Sequence, residues 1–151
     1  MSGELRIRRG RRMSRRLLDA AGASFEALGA LPRLSAAAFT FKYLLVKFGA
    51  DASHVDICGA VDTPFGVCLN VTTAAEQEAQ IIPIPGNAVP LKMVANAAIA
   101  IGSLLEPAGS GRVQTLTGSI GTHHVVGRAL SVAAAQGDVI DVIPLYFLRV
   151  I

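Results

Sequence analysis

Apolar and polar positions alternate along most of this chain, and one alternating stretch occurs twice. GVCLNVTTAAEQEAQIIPI at 66–84 returns as GRALSVAAAQGDVIDVIPL at 127–145, and an offset of 61 aligns the two without a gap. Gly66 falls on Gly127, Leu69 on Leu130, Val71 on Val132, Ala74 on Ala135, Ile82 on Ile143 and Pro83 on Pro144. Each copy reads as a strand of the form G-x-x-L-x-V, a small polar connection, and a second apolar strand ending at a proline. That is a hairpin-like unit used twice. Leu69 and Leu130 are both expected in the core.

The flanking segments fit the same grammar. FTFKYLLVKF (39–48) is dense in aromatic and β-branched residues and predicts a strand closing at Gly49-Ala50-Asp51. VDICGAV (55–61) places Val55, Ile57 and Val61 on one face, with Asp56, Cys58 and Asp62 on the other. Beyond Pro85-Gly86-Asn87 the earlier layout returns. LSAAAFTF (34–41) matches VANAAIAI (94–101) at an offset of 60, Leu44-Leu45 match Leu104-Leu105, Gly49 matches Gly109, and Val55 and Val113 open comparable strands. Residues 34–84 and 94–145 therefore read as pseudo-repeats, two similar β modules. They are expected to bury a common core as a small β-sandwich or partly closed barrel. In the closing DVIDVIPLYFLRVI (138–151), Pro144 cannot donate to a ladder and belongs at an edge or bulge. The apolar residues after it serve either the core or a subunit contact.

Ahead of this β body (34–151) the pattern differs. Leu17, Leu18, Ala21, Phe25 and Leu28 recur at three- and four-residue intervals, predicting one face of a short amphipathic helix. Gly22 and Gly29 weaken it, and Gly29 followed by Pro32 stops it. Residues 1–33 hold eight arginines against Glu4, Asp19 and Glu26, a balance of +5; residues 34–151 hold six basic and eight acidic groups, a balance of −2. The basic character therefore belongs to an N-terminal arm and not to the body.

Composition narrows the class. At 151 residues, 52% apolar and 17% charged, the chain suits one mainly β domain with a core that needs no metal or disulfide staple. Cys58 and Cys68 read as buried thiols, with a disulfide between adjacent strands as the alternative. No apolar run reaches the roughly 18–20 residues of a membrane span, so no membrane partner is expected. Arg-Arg pairs near the start suit an organellar presequence, but Asp19 and Glu26 suit neither that nor a signal peptide; the chain is expected to be made and used without export.

Catalytic chemistry finds little support. The histidines are His54, His123 and His124, and the adjacent pair points to opposite faces of a strand, so no metal or other cofactor is expected. Glu76 and Glu78 read as solvated loop acids, because their repeat counterparts are Gly137 and Val139. Ser110 and Ser119 read as turn residues, and the glycine-rich 118–121 precedes a strand where a phosphate loop needs a helix. The chain is expected not to be an enzyme. The polar feature that asks for a function is the arm, with Arg6, Arg8, Arg9, Arg11, Arg12, Arg15 and Arg16 followed by Leu17 and Phe25. It reads as a solvated tail, as a nucleic-acid arm, or as an arm docking on an acidic protein surface with the Leu17/Phe25 helix in a groove. DNA is not favoured, because no aromatic residue is interleaved within 1–16 for base stacking. Docking on protein is preferred.

Four strings carry a resemblance. They are the apolar A-I-A-x-G-x-x-L segment at 98–105, Gly111-Arg112-Val113, the V-V-G-x-A-L strand at 125–130, and AAQGDVIDV at 134–142, which follows A-A-x-G-D-x-V-x-V with Ile140 for its first valine. Together they resemble the capsid cement, or head decoration, proteins of tailed phages, over about residues 34–148 and without the arm. The resemblance implies a small non-catalytic β domain of the virion, made in the host cytoplasm and bound to the capsid exterior. There it would bridge neighbouring major capsid proteins and associate with itself, as a trimer in preference to a dimer.

Overall fold

The computed structural model describes residues 29–151, so the arm and the short helix expected before residue 29 lie outside the described residues. Ten strands follow: β1 (Leu31–Ser35), β2 (Leu45–Phe48), β3 (His54–Ile57), β4 (Gly66–Cys68), β5 (Glu78–Pro83), β6 (Leu91–Val94), β7 (Leu104–Gly109), β8 (Arg112–Thr115), β9 (Thr122–Ala129) and β10 (Val139–Val150). No helix occurs among the described residues. The fold is mainly β, as the alternation predicts. The first strand begins at Leu31, inside the segment expected to belong to the arm.

β1 to β5 close into a barrel in the order β1-β3-β2-β4-β5, with β1 parallel to β3 and antiparallel to β5. β6 to β10 form a second sheet in the order β6-β10-β9-β7-β8, and a parallel bridge from Ala95 to Val113 joins its two ends. The wiring is therefore the same twice. Leu31 pairs with Ile81 and Leu91 with Val142; Gly66 pairs with Pro83 and Gly127 with Pro144; the bridge Phe39–Thr72 returns as Ile99–Ala133.

The repeated glycine has a steric cause. A Cβ on Gly66 would lie 2.5 Å from the Ile82 carbonyl oxygen, and one on Gly127 would lie 2.7 Å from that of Ile143. In each hairpin the second strand passes so close that only hydrogen fits. The connection between the strands also keeps its shape. Glu76 and Gly137, equivalent positions, both have left-handed backbone, at φ 63° and 93°.

Three expectations need correction. The continuous strand expected over 39–48 is broken, because Tyr43 turns left-handed (φ 67°) as its N–H reaches the Cys68 carbonyl at 2.6 Å. Gly102 does the same against Ala129 at 2.8 Å. Tyr43 and Gly102 are 59 apart, so the true counterpart of Leu104 is Leu45, not Leu44. Secondly, β3 stops at Ile57, and Val61 is 92% exposed. There the Asp62 carboxylate accepts from the Gly59 N–H at 2.7 Å and from Lys47 Nζ at 2.7 Å, fixing a turn where alternation suggested strand. Thirdly, Leu69 is buried but Leu130 is 39% exposed.

The packing explains that last difference. Phe39, Val46, Val55, Cys68, Ala79 and Ile81 fill the first barrel. On its outer face Leu45, Val67 and Ile82 form a registered row across β2, β4 and β5, flanked by Leu69 and Ile84. All five are buried in one cluster with Leu91, Met93 and Val113 of the second module. The β7–β8 turn seals the contact. Gly111 accepts from the Leu45 N–H at 2.7 Å and donates to the Cys58 carbonyl at 3.0 Å. With φ 70°, and with 2.8 Å between its virtual Cβ and the Leu44 Cβ, this position requires glycine. Among the described residues nothing covers Leu130 in the same way. Cys58 and Cys68 are both free and buried, and burial pushes the Cys58 thiol up to about 12.

Urea denaturation should separate these positions. Gly66→Ala and Gly127→Ala should each cost about 1–3 kcal/mol through overpacking. Leu69→Ala should cost about 2–5 kcal/mol. Leu130→Ala should stay within about 0.5 kcal/mol in the isolated chain. Equal losses at Leu69 and Leu130 would contradict the one-sided burial.

Candidate functional site

The arm residues Arg6, Arg8, Arg9, Arg11, Arg12, Arg15, Arg16, Leu17 and Phe25 lie outside the described residues. The chemistry that can be placed belongs to the body, and it falls into two polar clusters and one apolar surface.

His54 opens β3 and lies between two carboxylates, with Nδ1 2.8 Å from Asp51 Oδ1 and Nε2 3.0 Å from Glu76 Oε1. It ties the β2–β3 turn to the β4–β5 connection, where Glu76 is held in its left-handed conformation. Asp51, then Glu76, raise the His54 pKa, and the same contact lowers that of Asp51. His123 on β9 makes an analogous tie. Its Nδ1 is 2.5 Å from Glu106 Oε2 and its Nε2 is 2.9 Å from the Ser119 carbonyl. Both partners can accept, so the surroundings favour a ring that donates from both nitrogens, the imidazolium. The Ser119 carbonyl and then Glu106 raise its pKa accordingly. Burial pushes the Glu106 carboxyl upward, but hydrogen bonds from Gln114, His123 and Thr117 outweigh it and hold the group below its usual range.

These clusters hold loops in place. Every ring nitrogen of His54 and His123 is engaged by this chain's own groups, so neither histidine has a lone pair to offer a metal or a substrate proton in this state. Among the described residues, no group of three or more His, Cys, Asp or Glu is set to hold a metal ion. No helix among them is long and apolar enough to cross a membrane. His124, next along β9, stacks on Tyr146 with ring centroids 6.3 Å apart, so the adjacent histidines have separate surroundings.

The apolar surface lies on the second module. β9 and β10 continue past the register shift between Pro144 and Phe147 as a two-stranded ribbon, Phe147–Val150 against Thr122–Val125. Tyr146, Phe147, Leu148 and Val150 are all exposed on it. Of the two readings for this C-terminal run, core burial is overturned, because the ribbon extends past the sheet that would cover it. Beside the ribbon lies the counterpart of the buried row of the first module. Leu104, Arg128 and Ile143 stand where Leu45, Val67 and Ile82 stand, with Leu130 and Leu145 for Leu69 and Ile84. Leu130, Arg128 and Ile143 are exposed, and Leu104 and Leu145 are half-buried. The sequence reading passed over this face. The signal was present in the Val67/Arg128 mismatch, the one charge introduced into an otherwise apolar row.

No protein-family model matches the chain, and no curated protein matches it. Among solved structures, the fold is similar to the head fiber gp8.5 N base of bacteriophage phi29. The likeness has a TM-score of 0.59 at 14% identity and covers 77% of this chain and 92% of that one.

The His123 tie predicts a pH signature. A histidine with a raised folded pKa stabilises fully below its unfolded value of about 6.5, and the contribution fades as pH rises through the folded value. The lowered Glu106 contributes above its unfolded value of about 4.3 and loses it in acid. In thermal unfolding, His123→Gln should therefore lower Tm more at about pH 6 than at pH 9. An equal Tm difference at the two pH values would rule out the imidazolium.

Proposed function

We propose that this chain is a structural, non-catalytic protein of a phage virion that attaches to the exterior of the head and reinforces it by bridging copies of the major capsid protein. The observation that carries this reading is the fold. A protein named for the base of a phage head fiber shares it over 92% of its own length, across a span that requires both modules. The strings at 98–105, 111–113, 125–130 and 134–142, which resemble those of phage cement proteins, favour the same role.

Charge supplies the second support. An arm with a balance of +5 precedes a body with a balance of −2. Guanidinium groups pair bidentately with carboxylates, so an arginine-rich segment suits carboxylate-bearing clefts between capsid subunits. The β body would stand on the shell as the knob of that clamp. Many copies acting around one shell gain by multivalency what a single contact lacks. The protein would be made in the host cytoplasm, act on the capsid exterior, and have no membrane partner.

Replacing the seven arginines of 6–16 by glutamine in the full chain tests the clamp. In a sedimentation assay with purified expanded empty heads, the variant should bind markedly more weakly than wild type. Equal decoration would remove the arm from the mechanism. The same pair of proteins decides the DNA alternative by filter binding. Tight duplex binding with a steep salt slope, lost in the variant, would replace capsid docking with DNA association.

A further inference from the structure

The β body begins beside a groove at the seam between its modules. Ala30 is buried in the shared core, and Gly29 just before it lines a recess with Ile82 and Asn87. Ile82 and Asn87 also line a second recess of about 290 Å³. That recess crosses from Leu69 on the first module to Leu91 on the second, and Val89 on its wall is 53% exposed. We propose that this groove seats the chain's own residues 17–28, with Phe25 and Leu28 laid over the seam and the arginines ahead of them left outside it.

Position and charge select that segment. Leu28 is one residue ahead of Gly29 and Phe25 is four ahead. Four extended residues span at most about 14 Å, enough to enter a groove that starts at Gly29. The arm itself is divided in charge. Residues 1–16 hold seven arginines against Glu4, a balance of +6. Residues 17–28 hold Asp19 and Glu26 and no basic group, a balance of −2. The groove has the opposite sign, with Lys42 and Lys92 at its edge. Lys92 shares its charge with Asp141 at 2.9 Å, so Lys42 is the cation left to meet a carboxylate of the segment. The acidic, apolar part of the arm fits this groove, and the basic part is repelled from it.

A short tether makes a weak contact sufficient. At an effective concentration of about 1 mM, a contact of about 0.1 mM affinity is about nine-tenths formed. Seated there, residues 17–28 bridge Leu69 and Leu91 and fix the point from which the arginines of 6–16 leave the body. The contact involves no capsid, so solution measurements without heads test it separately from the proposed function.

The experiment is hydrogen exchange read by mass spectrometry on the full chain, with a free peptide of residues 17–28 as the reference. In the wild type the amides of 17–28 should exchange about tenfold more slowly than in the peptide, and dilution should not change this. Val89→Asp, at a position already exposed, should leave the body folded by circular dichroism and return those amides to the peptide's rate. Phe25→Asp should do the same from the other side of the contact. Val61→Asp, exposed outside the groove, should leave the protection intact. Amides of 17–28 that exchange at the peptide's rate in the wild type would overturn the proposal. So would protection that survives Val89→Asp or Phe25→Asp, or that Val61→Asp removes as well, since each assigns the segment to another surface. Protection lost on dilution would also overturn it, by assigning the segment to a second copy.

Discussion

Burial of the outer row of the first barrel under the second module is the contact on which the rest of the molecule depends. Each module is about fifty residues, close to the size below which a single core is marginal. Its interior holds six buried residues in the first case, from Phe39 to Ile81. Leu45, Val67, Leu69, Ile82 and Ile84 add a second buried layer, shared with the neighbour. A marginal barrel and a marginal sheet thereby become one unit. The closeness of this contact rests on Gly111, whose backbone completes hydrogen bonding at Leu45 and Cys58.

Within each module the equivalent restraint is the glycine at 66 or 127. A strand with a Cβ there would be held off its partner. The same residue type answers the same clash in both halves. The surfaces of the two modules differ where their cores do not. Arg128 stands where Val67 stands, while the interior pairs Cys68/Ala129 and Ile81/Val142 are small or apolar in both.

The parts legible in the sequence are those fixed by local pattern. Alternation and the repeated glycine and proline gave the hairpins, because side-chain period and turn position specify them. The chain was harder to read where backbone conformation departs from strand without a sequence marker. Tyr43 turns left-handed although tyrosine carries a Cβ, so no glycine betrayed the break before β2. The stop after Ile57 depends on Asp62 reaching back to Gly59, a contact that period-2 counting does not register. The fate of Leu130 was least accessible. Burial of an outward position depends on which module packs over it, and two aligned leucines carry no trace of that asymmetry.

Cys58 and Cys68 acquire a meaning from the double layer that surrounds them. Burial raises both thiols, Cys58 to about 12, so at neutral pH only about one in 10⁵ of the Cys58 side chains is a thiolate. Oxidants and disulfides react with the thiolate. Both sulfurs are thereby held in their unreactive thiol form, screened by the same two layers that hold the modules together.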